Sequence, residues 1–264
     1  MMKLLSIAVL CCLIAAAPAG AVVLVDTDFE ADSAGAGTWT TGSNWIGQTD
    51  PGSGDTYAQT GNGVAQVVAG VGQPEGSQAG MYNSTSGIGG VNLYYGDDTQ
   101  TGIYKITHSS KIVNDPSHTS VRIPVLRFGD ESTNKYAFAT RLVSYGDGEA
   151  KVQFQHTNTS TYWNAIERSA DVIDTWYDFE YIVDMPNKTV DIKVKESGAS
   201  TWAATLLGVG FVYAADVSSL DQFKAYADNA GVDLYLDNLV VEQIPEPATM
   251  ILLGLGGLLI RRRK

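Results

Sequence analysis

The sequence predicts an all-β fold, an antiparallel sandwich or barrel built from many short strands. Short runs of alternating apolar and polar residues dominate the chain, and clusters of Gly, Asn, Asp and Ser separate them. No helical periodicity of useful length is present. Alternation with a period of two is typical of strands that bury one face. Many such strands at this spacing favour a sandwich or a barrel.

Ten segments carry the strand pattern: 22–29, 102–107, 121–128, 135–144, 151–155, 176–183, 189–195, 201–207, 222–227 and 232–241. Residues 145–148 and 185–188 are predicted hairpin turns, the second with φ fixed by Pro186 and a tight bend tolerated at Asn187. Residues 31–100 are rich in Gly and show few clear strands, so long loops are predicted there.

The N-terminus has the parts of a secretory signal peptide. Lys3 is followed by an apolar stretch over residues 4–17 and by the small residues Ala19, Gly20 and Ala21. This order predicts a signal peptide over residues 1–21, removed after Ala21. Cleavage after Ala19 is the alternative. Either site predicts that the following domain is exported.

The C-terminus combines a proline motif, a short apolar run and a basic end. Pro245 and Pro247 stop any helix from continuing across them. Residues 248–260 would form a hydrophobic helix of about 20 Å, shorter than a hydrocarbon core of about 30 Å. A buried or interfacial terminal helix is the alternative on grounds of length, but four consecutive basic residues disfavour burial in a core. We therefore predict a temporary membrane stop, whose cytoplasmic end is Arg261, Arg262, Arg263 and Lys264.

This tail resembles a known sorting signal. Pro245, Glu246 and Pro247, then a Gly-rich apolar run and the basic cluster, are similar to the PEP-CTERM signal recognised by exosortases. The resemblance implies recognition by an exosortase at the Pro-Glu-Pro triplet, and cleavage of the tail. It also implies transfer from the inner membrane to the outer envelope, the cell surface or an extracellular polysaccharide matrix. The predicted organisation is a signal peptide (1–21), a β-domain (22–243) and a sorting tail (244–264).

The middle of the chain resembles laminin G / concanavalin A-like domains. A tryptophan-led strand at 175–184, an Asp-containing turn and a strand at 189–194 are similar to a hairpin of that family. Residues 28–30 and 235–241 are similar to its paired first and last strands. The resemblance extends over residues 22–243 and implies an antiparallel jelly-roll sandwich.

Charge and cysteine content limit the function classes. Without Lys3 and the four terminal basic residues, and without Glu246, the predicted mature part has 12 basic and 28 acidic residues, a net charge of −16. Nucleic-acid binding needs a concentrated positive surface, so no nucleic-acid partner is predicted. Both cysteines lie in the signal peptide, so no disulfide or thiolate metal site is predicted.

Acidic residues near the first strand suggest calcium. Period-two alternation would place Asp26, Asp28 and Glu30 on one face of this strand, and Asp237 would join them if the last strand pairs beside it. Oxygen ligands suit Ca²⁺, so a structural calcium site is predicted at Asp28, Glu30 and Asp237. The alternative is that these carboxylates are only solvated.

The sequence predicts no catalytic residues. His108, His118 and His156 lie far apart without metal-ligand spacing, and no nucleophile elbow is present. The acidic strand residues at 178, 180 and 184 do not match the paired-glutamate motif of glycosidases with this fold. The prediction is therefore a protein that is not an enzyme.

Three tryptophans in polar surroundings are candidate platforms for sugar rings: Trp39, Trp45 and Trp163. Core packing is the alternative for each, and Trp202, at the start of a strand, is left open. The leading hypothesis is an envelope-targeted sandwich that binds glycan, with extracellular polysaccharide as a partner. The alternatives are a secreted polysaccharide hydrolase or lyase, and a purely structural matrix protein.

Overall fold

A computed structural model describes residues 21–27, 29–30, 35–36, 57–74, 76–94, 102–114, 124–130, 132–144, 149–155, 162–169, 174–227 and 232–245. These residues form fourteen strands and no helix. In chain order the strands are β1 Val22–Thr27, β2 Gly35–Ala36, β3 Tyr57–Ala69, β4 Gln78–Tyr94, β5 Ile103–Asn114, β6 Pro124–Asp130, β7 Lys135–Ser144, β8 Glu149–Gln155, β9 Tyr162–Ser169, β10 Tyr177–Asp184, β11 Thr189–Glu196, β12 Ala204–Gly210, β13 Gln222–Ala227 and β14 Val232–Ile244.

The strands form one continuous antiparallel sheet that folds over into two layers. Its hydrogen-bonded order is β12-β11-β10-β5-β14-β4-β13-β6-β7-β8-β9, with β1 beside β14 and β3 beside β4. Strand β4 joins the layers, because residues 80–83 pair with β14 and residues 89–94 pair with β13. Strands β5, β10, β11, β12 and β14 belong to one layer, and β6 to β9 with β13 belong to the other.

Aromatic side chains pack the two layers together. On β10 burial alternates along the whole strand, so Tyr177, Phe179, Tyr181 and Val183 point into the core. The Tyr181 ring centroid lies 4.8 Å from that of Phe138 on β7. Large apolar area removed from water in this way is the main stabilising contribution of a domain without disulfides.

A short polar network crosses this core. The His108 ring is buried, with Nε2 3.2 Å from the Tyr181 hydroxyl and Nδ1 2.8 Å from Ser110 Oγ. The Tyr181 hydroxyl lies 2.7 Å from Thr140 Oγ1 on the facing layer. Buried polar groups need such partners, and here they also hold the layers in register.

The strand predictions agree with the structure outside one region. All ten predicted segments overlap strands, and 135–144 and 222–227 match β7 and β13 at both ends. Residues 185–188 form the predicted turn, but the positive φ falls at Lys188 (55°) and not at Asn187. The prediction of long loops over residues 31–100 is wrong, because β3 and β4 contain 13 and 17 residues.

The two ends of the described domain lie side by side. Val22, the first residue of β1, pairs with Gln243 in β14, and Pro245 follows β14 directly. The predicted signal peptide before Ala21, the turn at 145–148, and the tail residues Glu246 to Lys264 lie outside the described residues. Within the described part, no helix is long and apolar enough to cross a membrane.

Candidate functional site

A bulge in β7 creates a distinctive outer surface on the second layer. Phe138 pairs with Phe128, but the next pair is Tyr136 with Gly129, so Ala137 is an extra residue. Ala137 and Phe138 both enter the core, and Tyr136 turns to the outer face, where it packs with Val125 and Ala139. Bulges re-aim side chains in this manner.

The bulge depends on a glycine. A Cβ added to Gly129 would lie 2.1 Å from the carbonyl oxygen of Lys135 and 2.5 Å from Cα of Tyr136. Backbone atoms cannot give way at these distances, so the close approach requires glycine. The orientation of Tyr136 is therefore built into the pairing of β6 with β7.

The outer surface around Tyr136 combines cations, phenols and amides, and we name it the Arg–Tyr face. Strand pairing brings its members together on the outer side of β13, β6, β7, β8 and β9. The face consists of Lys224, Arg127, Tyr136, Arg141, Gln153, Gln155, Tyr162 and Asn164.

Two arginine–tyrosine stacks organise this face. The Arg127 guanidinium carbon lies 4.2 Å from the centroid of the Tyr136 ring, and that of Arg141 lies 3.2 Å from the centroid of Tyr162. Arginine stacks on aromatic faces and keeps its in-plane N–H donors directed outward. The stacks therefore hold two planar cations in defined positions.

Amide side chains connect the stacks. The Tyr136 and Tyr162 hydroxyls donate to Gln155 Oε1 at 2.8 and 3.3 Å. Arg141 Nε donates to Gln153 Oε1 at 2.6 Å. Side chains fixed by such a network lose little conformational entropy when a ligand binds, so the face is preorganised.

The electrostatics of the face favour an anion. Lys224 is the register partner of Arg127, and burial together with repulsion from Arg127 lowers the pKa of Lys224. Burial also raises the pKa of Tyr136 to about 12, against the opposing effect of Arg127, so this phenol remains a donor. A bound anion would relieve the repulsion between Lys224 and Arg127.

The segment between β12 and β13 forms one border of the face. Val212 N donates to the carbonyl oxygen of the bulge residue Ala137 at 2.8 Å. The Tyr213 ring then meets Tyr136 edge-on, with centroids 4.9 Å apart, and Lys135 Nζ lies 4.8 Å from the Tyr213 centroid. The border adds another aromatic ring and another cation.

The predicted calcium ligands have a different environment from the one expected. Strands β1 and β14 pair as predicted, but β1 ends at Thr27 and Phe29 has a positive φ of 60°, so the period-two alternation does not extend to Glu30. Asp28 lies outside the described residues. The prediction that Glu30 shares a strand face with Asp26 is therefore wrong, because Glu30 lies beyond the end of β1.

Glu30 and Asp237 contact the connection between β3 and β4. Asp237 is buried, and its two oxygens accept N–H groups of Gln73 and Asn238, both at 2.7 Å. Glu30 Oε1 accepts the N–H of Gln78 at 2.5 Å. No group of three or more acidic, His or Cys side chains able to hold a metal occurs among the described residues. The carboxylates of Asp237 and Glu30 thus fit the role of loop anchors better than that of calcium ligands. A calcium site that involves Asp28 stays a prediction.

Replacement of Asp237 distinguishes a loop anchor from a calcium ligand. We expect Asp237→Ala to lower the free energy of unfolding by about 1–3 kcal/mol, because two backbone N–H groups lose a charged acceptor. The loss should be equal in calcium and in chelator, measured by urea unfolding, with the exposed Asp26→Ala as control. A chelator that lowers the stability of the unaltered protein, but not of Asp237→Ala, would instead support calcium.

The other predicted site residues are dispersed. Trp39 and Trp45 lie outside the described residues. Trp163 lies in strand β9, not in a polar loop, and its ring packs against the core at 5.9 Å from Phe154. This packing fits the core alternative for Trp163, and a sugar platform at this ring stays a prediction. Of the sorting motif, only Pro245 is described, immediately after β14.

The Arg–Tyr face was not identified from the sequence. Its members in β8 and β9 occupy alternate positions, but a period-two pattern shows only that such residues share one side of their strand, and the bulge breaks the alternation between Tyr136 and Arg141 in β7. The signal that could have found them is the recurrence of Arg, Gln and Tyr at outward positions of consecutive hairpin strands.

Comparison with known proteins identifies the tail. Residues 243–264 match the PEP-CTERM protein-sorting motif, so the chain carries the signal of an exported, sorted protein. No curated protein matches the chain by sequence.

Solved structures share the fold of the domain. The catalytic domain of a β-glucanase from Podospora anserina has a TM-score of 0.56 at 13% identity, covering 85% of this chain and 97% of that one. A carbohydrate esterase from the Shiga toxin-encoding bacteriophage phi24B has a TM-score of 0.52 at 10% identity, covering 86% and 100%. At these identities the likeness concerns the fold alone.

Proposed function

We propose that the protein is an exported, non-enzymatic β-sandwich of the jelly-roll type that binds acidic polysaccharide through the Arg–Tyr face. Its PEP-CTERM motif is the part an exosortase would process, after a transient stop in the inner membrane. The outer envelope, cell surface or extracellular matrix is its proposed destination. Polysaccharide there would be the partner of the domain.

The stack of Arg141 on Tyr162, fixed by Gln153, is the observation that carries this proposal. A guanidinium held in one plane matches the two oxygens of a sugar carboxylate. Tyrosine rings offer apolar surface to pyranose rings. Gln153 and Gln155 are buried and hold the arginine–tyrosine stacks in place. Because the chain as a whole is acidic, attraction must come from this local cluster and not from net charge.

Binding of alginate, a polymer of acidic sugars, tests the proposal. We expect the protein to bind alginate in titration calorimetry, and Arg141→Gln to weaken binding about 10–100-fold, because a charge-assisted hydrogen bond contributes about 1.5–3 kcal/mol. Added salt should also weaken binding. Lys105→Gln removes a cation from the opposite layer and should leave the affinity unchanged.

The alternatives predict other outcomes. Release of shortened or unsaturated sugars from alginate would show that the protein is a hydrolase or lyase, and would overturn the proposal that it is not an enzyme. No binding to alginate, or binding that Arg141→Gln does not affect, would overturn the Arg–Tyr face as its site and favour a purely structural matrix protein.

A further inference from the structure

A cleft of about 410 Å³ opens on the outer surface of the other layer. Its floor is the outer face of β5 and β10, with Thr107, Asp178 and Glu180. Trp202 stands on one side, and the β3–β4 connection with Asn238 stands on the other. The volume lies in the range of ligand pockets, about 300–1,000 Å³. We name this feature the Trp202 cleft.

Trp202 is an exposed aromatic ring in a fixed position. Its relative exposure is 38%, among the highest of the large apolar side chains described. Lys193 Nζ and Lys195 Nζ lie 5.7 and 5.3 Å from the ring centroid. These cation–π contacts hold the ring while it remains accessible. An exposed, immobilised indole is suited to stacking against the apolar face of a sugar ring.

The polar groups of the floor are charge-balanced. Glu180 pairs with Lys193 at 2.7 Å and with Lys105 at 3.9 Å, and Asp178 pairs with Lys195 at 3.8 Å. Ser109 Oγ also donates to Asp178 at 2.8 Å. Lys105 also lies 3.8 Å from Glu242, so three cations balance three carboxylates and the floor has no excess charge for an ionic ligand. Hydroxyl groups can still use the remaining acceptor lone pairs.

The opposite wall is held by Asp237, one of the residues that the sequence suggested for calcium, and by its neighbour Asn238. Asp237 accepts the N–H of Gln73, and Asn238 Nδ2 donates to the carbonyl oxygen of Gln73 at 2.7 Å. Asn238 itself lies at a bulge of β14 with a positive φ of 51°. The wall is therefore anchored to the sheet and preorganised relative to Trp202.

We infer that the Trp202 cleft is a second carbohydrate site, and that it takes an uncharged saccharide with its ring against Trp202 and its hydroxyls toward Asp178 and Glu180. The inference rests on residues separate from the Arg–Tyr face. If both sites act, which also requires the proposed function, one domain holds an acidic and a neutral chain on opposite layers and links them.

Titration of the full chain with cellotetraose, laminaritetraose and mannotetraose tests the inference. We expect at least one to bind, with a change in tryptophan fluorescence, and Trp202→Ala to weaken that binding at least tenfold. Trp202→Phe keeps a stacking ring and should retain part of the affinity. Leu207→Ala removes a more exposed apolar side chain on β12, with a relative exposure of 66%; it is the control and should have no effect.

The outcomes separate the two sites. Arg141→Gln should leave tetrasaccharide binding unchanged, and Trp202→Ala should leave alginate binding unchanged. Failure of all three tetrasaccharides to bind, or binding insensitive to Trp202→Ala, would overturn the second site without touching the proposal for the Arg–Tyr face. Cleavage of a bound tetrasaccharide would overturn a purely binding role for Asp178 and Glu180.

Discussion

Acidification from pH 6.5 to pH 3 is expected to lower the free energy of unfolding by up to about 1.4 kcal/mol per pH unit through His108 alone. Burial lowers the pKa of His108 from its ordinary value of 6.5 to about 3, partly offset by a hydrogen bond with the Ser109 backbone. Between these values the unfolded chain binds a proton that the folded protein does not. Stability therefore falls with falling pH throughout this window.

The packing of His108 explains why it stays neutral. Its ring stacks on Phe179 with centroids 4.7 Å apart and lies 6.2 Å from Phe128, so a charge would have no water around it. Its ring nitrogens already contact the hydroxyls of Tyr181 and Ser110. A proton on the ring would disturb a network that joins both layers.

Urea unfolding between pH 7 and pH 3 measures this effect. The control is His108→Gln, which keeps a polar side chain that does not titrate. This variant should be less stable at pH 7 but should lose less stability per pH unit below pH 6.5. Parallel pH profiles for the two proteins would contradict the assignment, whatever their absolute stabilities.

Much of the sandwich could be predicted because burial alternates visibly in its best strands. Phe179, Glu180 and Tyr181 show the pattern, with only the middle side chain partly exposed. Strand β4 shows no such pattern, since 8 of its 17 residues are Gly, Ser or Asn. It forms because β3, β13 and β14 hydrogen-bond to it, and pairing overrides local propensity.

The Arg–Tyr face could not be predicted because it depends on pairing between distant segments. Tyr136 would point into the core if β7 alternated regularly, and only the bulge opposite Gly129 turns it outward. Arg127 and Lys224 are nearly a hundred positions apart in the chain, yet are register partners. No local sequence pattern shows the bulge at Tyr136 or the pairing of Arg127 with Lys224.

The pairing of the first and last strands could be predicted from the sequence, but the hydrogen-bond partners of Asp237 could not. The first and last strands pair as expected, which brings Asp237 near the end of β1. Its oxygens, however, accept backbone N–H groups of a connection that the sequence did not mark as ordered. An acidic cluster in a sequence does not distinguish a metal ligand from a loop anchor, since both use the same carboxylate oxygens.

Asp130→Ala is expected to destabilise the protein by about 3–5 kcal/mol, because five hydrogen bonds lose their acceptor. Its oxygens accept Ser132 Oγ and Thr133 N in the β6–β7 turn, and Ser218 N, Ser218 Oγ and Ser219 N in the segment before β13, at 2.6–3.1 Å. The side chain is fully buried, so water cannot replace it. Asp216→Ala, on the exposed surface of the same segment, should change stability by less than about 0.5 kcal/mol.

The pH dependence of stability tests whether the negative charge of Asp130 is the source of this stabilisation. Burial alone would raise the pKa of Asp130, but the hydrogen bonds from Ser132, Ser218 and Ser219 outweigh it and hold the pKa well below its ordinary value of 3.8. The stabilisation is thus complete above about pH 4 and is lost as the pH falls further, below most of the His108 window. Asp130→Ala should lack this acid-dependent loss, and an unchanged profile below pH 4 would contradict the assignment.

Asp130 also connects stability with the proposed binding surface. The segment that it anchors includes Tyr213, which packs edge-on against Tyr136 in the Arg–Tyr face. At temperatures where Asp130→Ala is still folded, we expect weaker alginate binding than in Asp216→Ala, because the border of the face is no longer held. Equal affinities for the two variants would show that Tyr213 keeps its place without Asp130, and that the face is organised by β6 to β9 alone.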